Sequence, residues 1–313
     1  EAISFDGYLG RSAVAVNGSR GSVLEIADLK TSTEGFGVFG NYNSTGGQKF
    51  GFNLFNNEKV TYDASAKTPA WKYSPLKYWP TDGHVDFLAY APRVDSKQLT
   101  GSSIDFTVEG DAANQKDLLW ANAPGQTKEN GKVTFKFAHA LSRLGYTVKL
   151  NDDYTGTTIK LNKITLAGSN DGTKQAFYKT GTIDLSYTSS PTSSTTKLWN
   201  PSEEKQNFDW YSGDDQLSKT TAVKNPTTKY LFVIPQKFSA SAPDQLYVIV
   251  NYTITYSDGT SVNTKVYKQL DKEFEQGKAY TINLNIGLTP IEFDADVTPW
   301  NPKDGESIDA SWN

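Results

Sequence analysis

The sequence predicts an all-β protein made of two β-sandwich domains in tandem. Many short segments alternate apolar and polar residues, which is the period-2 pattern of a strand with one buried face. Turn residues such as Gly, Asn, Asp and Pro separate these segments at intervals of about 8–12 residues, as they do in sandwiches. Strand patterns do not alternate with helical patterns, so a parallel sheet with crossover helices is not expected.

The aromatic stretch 71–92 contains one of the clearest strand patterns. We expect Trp71 and Trp79 to be buried in the core, because each large aromatic side chain buries about 150–250 Å² on folding. A turn follows at residues 80–83, and residues 85–90 then alternate between two faces of a strand. Pro92 ends this strand because it has no backbone N–H to donate.

Two segments in the second half, 248–256 and 262–266, form the clearest predicted hairpin, and residues 257–260 make its turn. The other predicted strands share the same alternation or are short apolar runs. They are 2–9, 36–42, 50–54, 60–62, 104–108, 133–137, 144–150, 159–166, 183–187, 230–234, 280–286 and 291–297.

A change of parity marks the middle of the chain. Apolar residues fall on odd positions in 133–137 and on even positions in 144–150, and one sheet face cannot switch parity without an extra residue. We therefore predict a bulge or break within 139–143. The polar run at 151–156 is the candidate boundary, which gives domains 1–153 and 154–313.

Composition excludes several classes of function. The 313 residues suit two domains of about 100–150 residues each. The net charge of −4 gives no basic surface for a phosphate backbone, so no nucleic acid partner is expected. The sequence has no apolar run long enough for a transmembrane helix and no Cys for disulfides. Glu1 is not an initiator methionine, so we expect a processed or trimmed form.

No motif for catalysis, a cofactor or a metal ion is recognisable, and we predict a protein that is not an enzyme. His84 and His139 lack metal-ligand spacing, and we expect both to be structural. The adjacent carboxylate pairs 152–153, 203–204 and 214–215 lie in loop-like contexts and are expected to be solvated. A glycosidase pair would come from residues distant in sequence, which the sequence alone does not reveal.

Six segments, in order, resemble the fimbrillin-like family of Bacteroidetes. They are residues 3–13, 71–92, DLLWA at 117–121, FKFAHALSRLGYTV at 135–148, LFVIPQ at 231–236 and 277–300. The resemblance implies two transthyretin-like domains of Greek-key type and export as a lipoprotein, with the lipid anchor on the precursor only. It also implies a cell-surface location at the outer membrane, in a fimbrium built from this and other subunits.

The resemblance further implies assembly by β-strand exchange, in which an Arg-specific protease removes the first strand and a neighbouring subunit fills the groove. Arg11 directly follows that strand in a Gly/Ser context open to a protease, and Arg20 is the second candidate cleavage site. The predicted donor strand presents Ile291, Phe293, Ala295 and Val297 on one face. In the isolated subunit we expect this last strand to pair within its own chain.

Two alternatives to a fimbrial subunit or tip adhesin remain open from the residues. The 13% aromatic content and the Asn/Asp-rich loops also suit a carbohydrate-binding surface module. A hydrolase built on sandwiches would need two carboxylates about 5–10 Å apart in a deep pocket. The sequence leaves open the stalk or tip position, a host protein or glycan as ligand, and the role of the tail after Trp300.

Overall fold

The computed structural model describes residues 1–9, 26–188, 197–288 and 294–299. Apart from one short helix, α1 (Ile26–Thr31), and two 3₁₀ turns at Ala112–Asn114 and Lys128–Asn130, the regular elements of these ranges are strands. The all-β prediction is confirmed. Within the same ranges, no helix has the length and apolar character needed to span a bilayer.

The strands are numbered in chain order. They are β1 (Phe5–Leu9), β2 (Phe36–Asn43), β3 (Phe55–Asp63), β4 (Ala70–Lys72), β5 (His84–Ala91), β6 (Ser103–Thr107), β7 (Leu119–Gln126), β8 (Val133–His139), β9 (Ser142–Leu150), β10 (Thr157–Ala167), β11 (Phe177–Tyr178), β12 (Thr180–Asp184), β13 (Trp199–Pro201), β14 (Lys205–Gln206), β15 (Phe208–Gln216), β16 (Val223–Lys224), β17 (Leu231–Val233), β18 (Gln236–Lys237), β19 (Tyr247–Tyr256), β20 (Ser261–Gln269), β21 (Glu273–Phe274), β22 (Ala279–Ile286) and β23 (Asp294–Pro299).

Three larger sheets organise these strands. A seven-stranded sheet has the order β1-β8-β7-β5-β2-β3-β4, and all its neighbours are antiparallel except β1 and β8. A five-stranded sheet has the order β16-β9-β22-β23, with β17 also paired to β9, and a four-stranded sheet has the order β15-β10-β19-β20. Strands β13, β12 and β6 form a smaller sheet, and β11-β14 and β18-β21 are two-stranded pairs.

The central strands of the seven-stranded sheet are buried on both faces. In β5, Val85 and Phe87 belong to one hydrophobic cluster, whereas Leu88 and Tyr90 belong to a second cluster shared with the C-terminal sheets. The predicted alternation of this strand is therefore correct, but both of its faces meet apolar side chains. The sheet stands between two cores and helps to build each of them.

The predicted parity break is confirmed. Strand β8 ends at His139 in the seven-stranded sheet, and β9 begins at Ser142 in the five-stranded sheet. The chain thus passes from one sheet to another over Ala140 and Leu141, which are both fully buried. The domain boundary after residue 153 stays a prediction.

One predicted strand, 50–54, is wrong. The strand begins only at Phe55, and Phe52 is half exposed. The reason lies in Asn53, whose side-chain oxygen accepts from the Tyr42 N–H at 2.6 Å and whose amide donates to the Tyr42 carbonyl at 2.9 Å. The Asn53 side chain therefore bonds the Tyr42 N–H and carbonyl near the end of β2, which the backbone of a neighbouring strand would otherwise bond.

A buried polar cluster lies beside the crossing from β8 to β9. The Asp117 carboxylate lies 2.7 Å from Nδ1 of His139, and both side chains are fully buried. The Arg143 guanidinium lies 4.3 Å from the ring centre of Tyr230 and is also buried. Burial lowers the pKa of Arg143, and Tyr230 and Asp117 counteract that shift. Asp117 is thus a negative charge that compensates a buried cation.

We expect Asp117→Asn to destabilise the fold by about 3–5 kcal/mol, because it removes the buried carboxylate that contacts Nδ1 of His139 and counteracts the burial of the Arg143 charge. Urea unfolding followed by tryptophan fluorescence measures the free energy of unfolding. The exposed Asp153→Asn is the matched control and should change stability by less than about 0.5 kcal/mol. Equal stability of the two variants would contradict the role given to Asp117.

Asp63 fixes the turn between β3 and β4, and so places Trp71 of β4. Its carboxylate accepts from the Lys72 ammonium at 2.9 Å, from the Ser65 hydroxyl at 2.8 Å and from the Ser65 N–H at 3.0 Å. The hydrogen bond from Lys72, followed by that from Ser65, lowers the pKa of Asp63 to about 2. The ionised carboxylate is the form that holds the turn.

The contribution of Asp63 to stability should therefore depend on pH. A depressed pKa stabilises the fold above the unfolded value of about 3.9, and this stabilisation is lost as the pH falls through about 2. Asp63→Asn should lower the thermal midpoint at neutral pH, and its difference from the unmodified chain should shrink as the pH falls below about 4. If the difference in thermal midpoint between Asp63→Asn and the unmodified chain stays constant with pH, the charge of Asp63 does not stabilise the fold.

Candidate strand-exchange interface

Strand β1 has one buried face and one exposed face. Ile3, Phe5 and Gly7 point into the core, and Ser4, Asp6 and Tyr8 point to solvent. This is the alternation predicted for the first strand. The Gly at the third buried position leaves room for Phe137, whose ring would lie 3.1 Å from a Cβ atom at Gly7.

The backbone of residues 1–9 forms hydrogen bonds in two directions. The Ile3 N–H donates to the Lys77 carbonyl at 2.8 Å, and the Trp79 N–H donates to the Glu1 carbonyl at 3.1 Å. From Ser4 onward the partner changes, and β1 runs parallel to β8 with Phe5 opposite Val133 and Leu9 opposite Phe137. The first nine residues therefore fill the space between β8 and the segment 77–79.

Phe5 occupies the centre of a group of aromatic rings. Its ring centre lies 5.3 Å from those of Phe55 and Tyr73, 5.5 Å from that of Phe87 and 5.7 Å from that of Phe135. These rings come from both sides of the space that β1 fills. A side chain that is 2% exposed and bounded in this way anchors the strand.

Tyr73 holds the same strand through its polar end. Its hydroxyl donates to the Ile3 carbonyl at 2.6 Å, and burial raises the pKa of the phenol. Trp71 and Trp79 are 6% and 9% exposed, so the prediction that they belong to the core is confirmed. The sequence did not reveal that residues 77–79 pair with the N-terminus, because Pro75 and Pro80 flank a segment too short to show alternation.

The predicted donor strand is described only in part. Strand β23 pairs antiparallel with β22, with Ala295 opposite Leu284 and Val297 opposite Ile282. It is an edge strand of the five-stranded sheet, with Ala295 buried and Val297 half-buried. Ile291 and Phe293 lie outside the described residues, as do the predicted cleavage sites Arg11 and Arg20.

The two histidines occupy separate places. His139 is in the buried cluster with Asp117, and Nε2 of His84 lies 3.0 Å from the buried carboxylate of Asp86. Asp86 also accepts the N–H groups of Lys49 and Gly125 at 2.8 and 2.7 Å, so it ties two loops to β5. In the described ranges, no group of three His, Cys, Asp or Glu side chains is placed to hold a metal ion.

We expect Phe5→Ala to destabilise the protein by about 3–5 kcal/mol, the usual cost of truncating a fully buried Phe. Tyr8→Ala is the matched control, because Tyr8 lies on the exposed face of the same strand. Chemical unfolding gives the free energy, and hydrogen exchange of the β8 amides reports whether β1 remains paired. An unchanged stability of Phe5→Ala would mean that β1 does not occupy this site in solution.

The fimbrillin-like family model matches residues 26–300 of the chain. The fimbrium subunit Fim1C of Phocaeicola vulgatus is 26% identical over 328 aligned positions, which cover 88% of this chain and 83% of that protein. A fimbrial protein of known structure from Bacteroides vulgatus has the same fold, with a TM-score of 0.72 at 22% identity over 95% of this chain and 98% of the other. Because the family match covers well over half of the sequence, the chain belongs to the fimbrillin-like family.

Proposed function

We propose that this protein is a structural subunit of a cell-surface fimbrium and polymerises by protease-triggered β-strand exchange. In this scheme residues 1–9 leave one subunit, and a strand from another copy takes their place between β8 and residues 77–79. The observation that supports it most is the position of β1, an edge strand of the seven-stranded sheet whose alternate side chains fill the core.

Removal of β1 would leave unpaired backbone groups and an open apolar groove. The backbone groups of residues 133–137 that face β1 would lose their partners, and unpaired strand edges readily accept another strand. The rings of Phe55, Tyr73, Phe87 and Phe135 would border an open groove. A new strand would correct both defects, since its backbone restores the hydrogen bonds and its alternate side chains fill the groove.

The predicted donor strand has the residue pattern that this groove requires. The buried face of β1 presents Ile3, Phe5 and Gly7, and the donor presents Ile291, Phe293 and Ala295 at the same spacing. The full segments read ISFDG and IEFDA, so four features agree: Ile, Phe, Asp and a small residue at the end. In the exchanged state Phe293 takes the position of Phe5, where it contributes about 1.5–3 kcal/mol of burial.

The remaining partners follow from this scheme. Cleavage after Arg11, two residues beyond the end of β1, would release the strand without cutting the sheet, and Arg20 offers a second position. The protease would be arginine-specific. A lipid anchor on the precursor would hold the subunit at the outer membrane until cleavage allows assembly with other fimbrial subunits.

A reversible lock on β1 tests the exchange. Asp6 and Thr134 are exposed partners in the β1–β8 register. Neighbouring strands lie about 4.8 Å apart, and disulfides bridge Cα atoms about 4.4–6.8 Å apart. Because the chain has no Cys, the double variant Asp6→Cys/Thr134→Cys contains only this pair. After treatment with an arginine-specific protease, we expect polymers by light scattering and electron microscopy only when the disulfide is reduced.

Two further variants assign the steps. Arg11→Ala/Arg20→Ala should stay monomeric after protease treatment, and Phe293→Ala should be cleaved normally but polymerise poorly. Polymers formed by the oxidised, cleaved double-cysteine variant would refute the exchange of β1. Equal polymerisation of Phe293→Ala and the unmodified chain would refute the assigned donor.

A further inference from the structure

The outer face of the four-stranded sheet carries a polar surface that strand exchange does not use. Six side chains of β10, β19 and β20 define it, and we call it the amide face. They are Asn162, Asn251, Thr253, Asn263, Lys265 and Tyr267. In the sheet register Thr253 lies opposite Asn263, and Asn251 lies opposite Lys265. Val248, Val250, Tyr252 and Ile254 of β19 point to the opposite face, into the core, whereas Tyr247 and Ile249 lie on the same side as the amide face.

A β-bulge makes a recess in the middle of this face. The register between β10 and β19 shifts between Leu161 and Lys163, which leaves Asn162 as the extra residue. Such a bulge bends the strand locally. The recess has a volume of about 410 Å³ and is lined by Asn162, Asn251, Thr253, Asn263 and Lys265, together with parts of Tyr252 and Thr264.

The hydrogen bonds inside the recess leave ligand-binding groups open. The Thr253 hydroxyl lies 2.7 Å from Oδ1 of Asn162 and 2.9 Å from Oδ1 of Asn263. A hydroxyl has one hydrogen to donate, so only one of the two amide oxygens receives it at a time. The other oxygen is then an acceptor without a hydrogen from Thr253, and the NH₂ groups of both amides lie on the side away from that hydroxyl. Sugar hydroxyls, which both donate and accept, suit this mixture.

An aromatic surface and a cation flank the recess. Tyr267 is 51% exposed, its ring is held against Tyr247 at 6.2 Å between centres, and the buried Ile249 lies opposite it in the register. Tyr267 lies two residues beyond Lys265, or about 7 Å along the strand, so adjacent rings of one oligosaccharide reach both. In the described part of the chain, Lys265 forms no ion pair with a carboxylate, which leaves its ammonium available to an anionic group.

We propose that the amide face binds a glycan that carries a carboxylate-bearing sugar. One sugar ring stacks on Tyr267, the next places its hydroxyls among the amides of the recess, and the carboxylate pairs with Lys265. A sialic acid and a uronic acid share this chemistry, so the ligand source is a host glycan or an acidic polysaccharide. The site lies on a different sheet from β1 and from β23, so the proposed strand exchange does not use its residues.

Titration calorimetry on the full, uncleaved chain tests the proposal with three probes: 3′-sialyllactose, trigalacturonic acid and neutral lactose. We expect one or both acidic probes to bind and lactose to bind at least about tenfold more weakly. If only 3′-sialyllactose binds, the ligand carries a sialic acid. If only trigalacturonic acid binds, the ligand carries a uronic acid. Tyr267→Ala and Lys265→Gln should each weaken the binding of the acidic probe by about tenfold.

The matched control is Tyr256→Ala, which removes another exposed tyrosine from the same hairpin but from the opposite face. It should bind like the unmodified chain, and equal thermal midpoints of all variants show that each is folded. The proposal is overturned if neither acid binds at millimolar concentration, if lactose binds as tightly, or if Lys265→Gln and Tyr267→Ala have no effect. Because the uncleaved monomer is titrated, the outcome is independent of polymerisation.

Discussion

The insertion of Phe5 among four aromatic rings is the interaction on which the N-terminal sheet depends. The rings that contact Phe5 come from β3, β5, β8 and the segment after β4, which are far apart in the sequence. The same nine residues bond to β8 on one side and to residues 77–79 on the other. An edge strand is thus held both by backbone pairing and by packing of its apolar face against the core.

The crossing between sheets is stabilised in a different way. Ala140 and Leu141 carry the chain from β8 to β9, and the Trp199 indole N–H donates to the Ala140 carbonyl at 2.7 Å. The Ser142 hydroxyl donates to the Glu275 carbonyl at 2.7 Å, which ties β9 to the segment before β22. The buried contact between Asp117 and His139 and the buried Arg143 lie beside the same crossing, and loss of a buried charged group is costly. These contacts do not involve β1.

Edges and faces of the sheets offer different kinds of chemical groups. The edges at β1 and β23 offer backbone groups, and backbone recognition by strand addition is strong but demands little of the partner's sequence beyond alternate side chains. The amide face offers side chains instead, and its Asn, Thr, Lys and Tyr groups are suited to hydrogen bonding, ion pairing and ring stacking. Under the two proposals, the edges serve assembly and the amide face serves ligand binding.

The sequence alone determined the class of fold and most of the strands. Alternation identified β1, β5, β8, β9 and the β19–β20 hairpin, because a half-buried strand has a period of two whatever its partners are. The change of parity between residues 137 and 144 located the crossing between sheets, since one face cannot change parity without a break. The order of six segments also indicated the fimbrillin-like family.

Tertiary structure decided which strands are neighbours and what each strand contacts on the face opposite to its predicted buried face. Alternation shows that Ile3 and Phe5 are buried. It does not show that β1 pairs with β8 and with residues 77–79, because these partners lie far along the chain and leave no local signal. The same limit applies to the Asp117–His139 contact and to the amide face, where residues 162, 251, 253 and 263 come together only through strand pairing. Periodicity is a property of one segment, whereas an edge, a groove and a recess are made by several segments at once.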